Sequence, residues 1–236
     1  MKRSQITYSV VYNKTKQKVD FHGKLTYPLY VEMIFNREHR RYKSSLFTQF
    51  LQPKYGIRIA GELHPPKLEL IVDHETKLVE FVIDKNLENF SLEVFKKEYE
   101  FNSKDILNLM EPNFFAYFYT FLQDEGLPYL AETIRATAIE KNVNMFNLFE
   151  DQRIAWKEKL YNRLLEHAFY YGPPYLPLSR FIQEYPLLPL KCMTVMDWNT
   201  ETVKSAFSEF LTKNYPVADP IKMSEGIDRY IETLKG

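Results

Sequence analysis

The apolar residues of this chain change their period once, and that change limits the folds open to it. In Ile6-Thr7-Tyr8-Ser9-Val10-Val11-Tyr12, rich in β-branched and aromatic residues, Ile6, Tyr8, Val10 and Tyr12 fall on one side of an extended chain, because side chains alternate faces along a strand. Tyr27 to Phe35 repeats the pattern, with Leu29, Val31, Met33 and Phe35 on one side and Tyr30, Glu32 and Ile34 on the other. Arg40 to Phe47 gives a third segment of strand chemistry. The short linker Asn36-Arg37-Glu38-His39 suits a hairpin between the second and third. From Asp73 onward the spacing moves toward 3.6, and helices are expected at about 74–87, 91–98, 103–110, 113–125, 128–141, 147–171, 178–185, 199–214 and 224–235. The join at 50–72 contains Pro53, Gly56, Gly61, Pro65 and Pro66, with a short strand expected at Leu68 to Val72. The expected fold is therefore α+β: a small N-terminal three-stranded antiparallel sheet in residues 1–72, then a mainly α-helical body in residues 73–236.

Charge divides along the same line. Lys and Arg total 31, as do Asp and Glu, so the formal net charge is zero. Residues 1–60 nevertheless hold twelve basic residues against three acidic ones, a net of +9, and residues 61–236 carry the balancing −9. So dense a positive charge favours a polyanion through Coulomb attraction and counterion release, and nucleic acid is the commonest intracellular polyanion. Lys14, Lys16 and Lys18 lie in the polar loop after the first strand, and Arg37, Arg40, Arg41 and Lys43 lie in the hairpin and third strand. Period two puts Arg41, Lys43 and Ser45 on one face of that strand and Arg40, Tyr42, Ser44 and Leu46 on the other. The major groove admits a two-stranded ribbon, where Arg reads guanine and Lys holds phosphates. These seven cations are the expected contacts to double-stranded DNA. The competing explanation is that an edge strand carries Lys and Arg to prevent edge-to-edge aggregation.

The stretch ITYSVVYNKTKQKVDFHGKLTYPLYVEMIFNREHRRYKSSLF resembles the N-terminal arm-type DNA-binding region of tyrosine recombinases, the integrases of phages and conjugative elements. Gly23, Pro28, Leu29, Tyr30 and Val31, with Arg40, Arg41, Tyr42 and Ser44 or Ser45, stand where that family's pattern wants them. The resemblance covers residues 5–55. It implies a small sheet that binds accessory DNA sites and helps to assemble a recombination complex. The family's catalytic domain carries an Arg, a His-x-x-Arg and a Tyr nucleophile. Here His22, His39, His64, His74 and His167 are followed three places on by Leu25, Tyr42, Lys67, Lys77 and Tyr170. The expectation is a non-enzymatic DNA-binding protein of a mobile element or its host, unless the chain is a fragment of a larger recombinase-like protein. Its helical body is expected to engage a recombinase or other protein partner, or to form a homodimer. The alternative is an interaction or self-association module whose basic head docks an acidic protein surface.

No other constellation competes. Cys192 is the sole cysteine and reads as a small core residue. His64 and His74, with Glu69 and Asp73 nearby, match no metal-ligand spacing, and there is no Walker loop, Gly-x-Ser-x-Gly or His-Glu-x-x-His; no cofactor, metal or catalytic residue is expected. The apolar run Phe114 to Leu122 reads as a helix buried all round, and Gly172-Pro173-Pro174 as a helix stop and packed loop. Without an apolar run of signal-peptide or membrane-span length, a cytoplasmic protein that does not engage a membrane is expected.

Overall fold

The structure is a computed structural model that describes residues 6–59, 62–141, 145, 147–150, 156–216 and 218–235. The chain forms two compact units. One comprises Met1–Lys104 and Pro189–Met196, the other Asp105–Leu188 and Asp197–Gly236. The break therefore falls some thirty residues beyond the Pro- and Gly-containing join, and two helices from the expected body belong to the N-terminal unit.

In the N-terminal unit, β1 (Thr7–Tyr12), β4 (Leu29–Phe35) and β5 (Glu38–Lys43) form the expected antiparallel sheet in the order β1-β4-β5. Val31 sits opposite Val10 on β1 and Tyr42 on β5, and Met33 opposite Tyr8 and Arg40. Asn36 and Arg37 form the β4–β5 turn with φ of 51° and 67°, the left-handed values of a two-residue hairpin whose twist matches its strands. The sequence expectation missed a second hairpin, β2 (Val19–Phe21) with β3 (Lys24–Thr26), closed by His22 and Gly23 at φ 51° and 86°. Its Phe21 is buried and stacks on Phe47 at 5.7 Å.

The third strand is shorter than expected. It ends at Lys43, and Ser45–Phe50 forms helix α1. Ser44 is the reason: its hydroxyl accepts from the Phe47 N–H at 2.9 Å, capping α1. After a 3-10 turn at Pro53–Tyr55, the join contains a hairpin of β6 (Ile57–Ile59) and β7 (Glu62–His64). Leu68 to Val72 is not a strand but the first turns of α2 (Leu68–Lys85); Ile71, Leu78, Val79 and Val82 follow helical spacing and are all buried. Helix α3 (Leu92–Asn102) is capped by Ser91, whose hydroxyl accepts from Val94 N–H at 3.1 Å. The core joins Leu29, Val31 and Met33 of β4 to Leu46 and Phe47 of α1, to α2, and to Phe95 and Tyr99 of α3, with Leu190, Cys192 and Met196 from the returning segment. Cys192 is buried there, its sulfur accepting from Gln49 Nε2 at 3.4 Å.

The second unit is helical: α4 (Ile106–Asp124), α5 (Pro128–Lys141), α6 (Glu158–Tyr171), α7 (Tyr175–Glu184), α9 (Glu201–Asn214) and α10 (Pro220–Lys235), with the four-residue α8 (Val195–Trp198) containing the second boundary. The segments expected at 103–110 and 113–125 are one helix, capped by Asp105, with Pro112 inside it. Within it, the run Phe114 to Leu122 is not buried all round. Phe114, Phe118, Phe121 and Leu122 are buried, while Ala116 and Thr120 are exposed. The expected 147–171 helix is helical at 147–150 and again from Glu158, and residues 151–155 lie outside the described residues. Gly172 ends α6 as expected, its N–H donating to Ala168 O at 2.9 Å. Phe114 stacks on Tyr175 at 4.5 Å, and Trp198 donates to Asp228 at 2.7 Å. No helix of the described residues is long and apolar enough to cross a membrane.

Candidate functional site

The three-stranded sheet has one face covered and one open. Covered are Leu29, Val31 and Met33, exposed by 1% or less. On the same side, Tyr42 packs on Phe95 and donates to Leu92 O at 3.2 Å, Phe35 meets Phe90, and Tyr8 donates to Glu80 at 2.6 Å. Helices α2 and α3 thus close this side. The register places Ser9, Glu32 and Arg41 in one row across the other side, with Val11, Tyr30 and Lys43 in the row on one flank and Thr7, Ile34 and His39 in the row on the other. None of these nine residues is buried. This open face is the candidate site.

All seven expected cations are exposed, but they do not form one cluster. Arg41 and Lys43 share the open face, as period two requires. Arg41 is ion-paired with Glu32, their side chains 42% and 25% exposed. Such a pair in water adds little stability, so Arg41 can exchange it for another anion at small cost. Arg40 points to the other side of the strand, where its Nε donates to Glu38 at 2.6 Å; hydrogen bonding to that carboxylate raises its already high pKa. Arg37 occupies the hairpin tip. Lys14, Lys16 and Lys18 stand at the opposite end of the sheet, the end at which β5 carries Lys43, with β4 between the two edge strands, because Tyr12 pairs with Leu29 and Tyr30 with Lys43. At about 3.3 Å per residue this end is roughly 20 Å from the tip. The lysine loop is pinned by Asn13, whose buried side-chain oxygen accepts from Thr15 N–H at 3.1 Å and whose N–H donates to Pro28 O at 2.9 Å. Among the described residues, Lys14, Lys16, Arg37 and Lys43 have no ion-pair partner.

Sequence reasoning missed what holds the basic strand in place. Glu75 of α2 is fully buried and accepts hydrogen bonds from the Ser44 hydroxyl and the Tyr99 phenol. The Tyr99 oxygen in turn accepts from Ser45 N–H at 2.8 Å. This network fixes the junction immediately after Lys43 to two helices. Burial raises the Glu75 carboxyl above its ordinary range against the opposing hydrogen bonds, and raises the Tyr99 phenol well above its own. Glu75 stands on the apolar stripe of α2, four residues after Ile71 and four before Val79; an acid at that spacing is the one cue the sequence offers, and the placement of Ser44 and Tyr99 beside it reveals the role.

Two further features of the helical unit bear on chemistry. A groove of about 320 Å³ runs beside Phe169, Pro173, Leu176, Pro177, Arg180 and Tyr215. Nearby, Tyr117 and His167 Nδ1 are hydrogen-bonded at 2.8 Å, and burial pushes the Tyr117 phenol up, which keeps it protonated. Neither contains a residue whose placement marks it as a nucleophile. Among the described residues there is no group of three or more His, Cys, Asp or Glu side chains placed to hold a metal ion. Comparison of the chain with protein-family models, with curated proteins and with solved structures finds no match.

Proposed function

We propose that the N-terminal unit is a non-enzymatic DNA-binding module of the kind found at the arm of mobile-element integrases, and that it approaches duplex DNA with the open face of its sheet. One observation carries this reading: Arg41 and Lys43 stand side by side on the uncovered face of a sheet whose other face is closed by helices. Two further features support it. The exposed lysines of the 14–18 loop lie at the same end of the sheet as Lys43, and the hairpin tip carries Arg37 at the other. The three-stranded sheet with its two-residue basic hairpin also agrees with the sequence resemblance. In this arrangement Arg41 exchanges Glu32 for a base edge or phosphate, and the flanking cations hold the backbone on either side.

The test is an electrophoretic mobility shift of the full chain with mixed-sequence duplex DNA across a salt series. Binding should weaken steeply with salt, by about one log unit of affinity per log unit of salt for each phosphate contact. No binding at low salt, or binding indifferent to salt, would sink the proposal.

A further inference from the structure

Strand β5 has a free edge as well as an open face. The sheet order leaves β5 paired on one side only, and five of its six residues are exposed. Its hydrogen-bonding parity is fixed at both ends. The residues flanking a two-residue turn, Phe35 and Glu38, form a hydrogen-bonded pair. In phase with them, the Ser44 N–H donates to Leu29 O at 2.9 Å. Glu38, Arg40 and Tyr42 therefore turn their main-chain groups toward β4. The N–H and C=O groups of His39, Arg41 and Lys43 turn outward, and among the described residues nothing in the fold hydrogen-bonds to them.

These groups border a groove of about 580 Å³ between β5 and α3. Four cations, Arg40, Arg41, Lys43 and Lys96, line it against two acids, Glu93 and Glu100, and Tyr42 and Leu92 give it an apolar wall. A second copy of the chain is a poor occupant. Antiparallel pairing of β5 with itself about Arg41 sets Arg41 against Arg41; about Arg40, it sets Arg40 against Arg40; about Tyr42, it sets Arg41 against Lys43. The same charges that block self-pairing favour an acidic strand.

We infer that the β5 edge accepts an extended acidic segment of a partner protein as a fourth strand. Main-chain hydrogen bonds to Arg41 and Lys43 supply the affinity. Alternation fixes the side chains: acidic residues opposite Arg41 and Lys43 on the open face, and an apolar residue between them, opposite Tyr42 and toward Leu92. This inference does not depend on DNA binding. It does imply that an acidic strand and a duplex compete for Arg41 and Lys43.

The test is fluorescence anisotropy of the full chain, without DNA, using a labelled peptide of alternating glutamate and valine. Two comparison peptides complete it: one of identical composition with glutamates and valines in separate blocks, and the alternating peptide N-methylated on the glutamates, whose N–H groups face Arg41 and Lys43 when the added strand runs antiparallel to β5. The alternating peptide should bind. The other two should bind at least about tenfold more weakly, since a strand out of register or stripped of main-chain donors forfeits hydrogen bonds but no charge. R41E/K43E, two exposed changes, should remove the difference. Equal binding of all three peptides would reduce the surface to charge attraction and overturn the inference. So would an absence of peptide binding at low salt, including the case in which duplex DNA still binds, since that case would leave the edge as a rim for phosphates alone.

Discussion

The two faces of the three-stranded sheet come from the same strands and obey opposite rules. On one, Leu29, Val31 and Met33 are sealed by helices. On the other, their immediate neighbours Tyr30, Glu32 and Ile34 follow one another along β4 beside Lys43, Arg41 and His39, and none is buried. Alternation along a strand lets one sequence satisfy both demands, and a one-residue slip in register would exchange them. The difference separates what makes the unit fold from what it presents. Substitutions on the covered face should cost stability, and substitutions on the open face should cost binding.

The covered face gives the largest expected effect. Val31→Asp places an unpaired carboxylate at a position with no exposure, and should destabilise the N-terminal unit by about 4 kcal/mol or more. Hydrogen exchange of the full chain should then show loss of amide protection throughout β1, β4 and β5. Retained protection would mean that the sheet does not depend on this face.

The Glu75 network comes next. Glu75→Ala leaves Ser44 and Tyr99 without their acceptor and opens a cavity, at a cost of about 3 kcal/mol in urea unfolding. Glu75→Gln sharpens the comparison through pH. Because burial raises the carboxyl in the folded state, the native protein holds that proton at pH values where the unfolded chain has released it. The contribution of Glu75 to stability is therefore largest below the unfolded carboxylate pKa, and is lost as pH rises from there through the folded value. The wild type should lose stability across that window relative to Glu75→Gln, which has no such proton. Parallel profiles would show that the carboxylate is fully compensated by its partners.

Much of this comparison was legible in the sequence, for a definite reason. Leu29, Val31 and Met33 are large and apolar, Arg41 and Lys43 are charged, and an alternation so marked fixes both the strand and its faces. Signals carried by one or two residues were harder to read. Ser44 ends a strand that composition would have carried to Phe47, because a hydroxyl placed to cap a helix outweighs strand propensity in the next residues. The β2–β3 hairpin rests on His22-Gly23, a turn whose φ values only the structure shows. Leu68 to Val72 has strand composition, and packing made it helical. Of the seven expected cations, period two correctly joined Arg41 and Lys43. It could not show that Arg40 engages Glu38 on the opposite side, nor that Arg37 and the lysine loop stand at opposite ends of the sheet.

The smallest expected change in folding accompanies the most direct test. In Arg41→Ala/Lys43→Ala, both substitutions lie on the open face, and unfolding free energy should shift by no more than about 0.5 kcal/mol. Duplex DNA affinity, measured by mobility shift from low to moderate salt, should fall, and the slope of log affinity against log salt should become shallower by up to about two units. A folded double variant that binds DNA with wild-type affinity and salt slope would contradict the account, because the open face would then not be where the duplex lies.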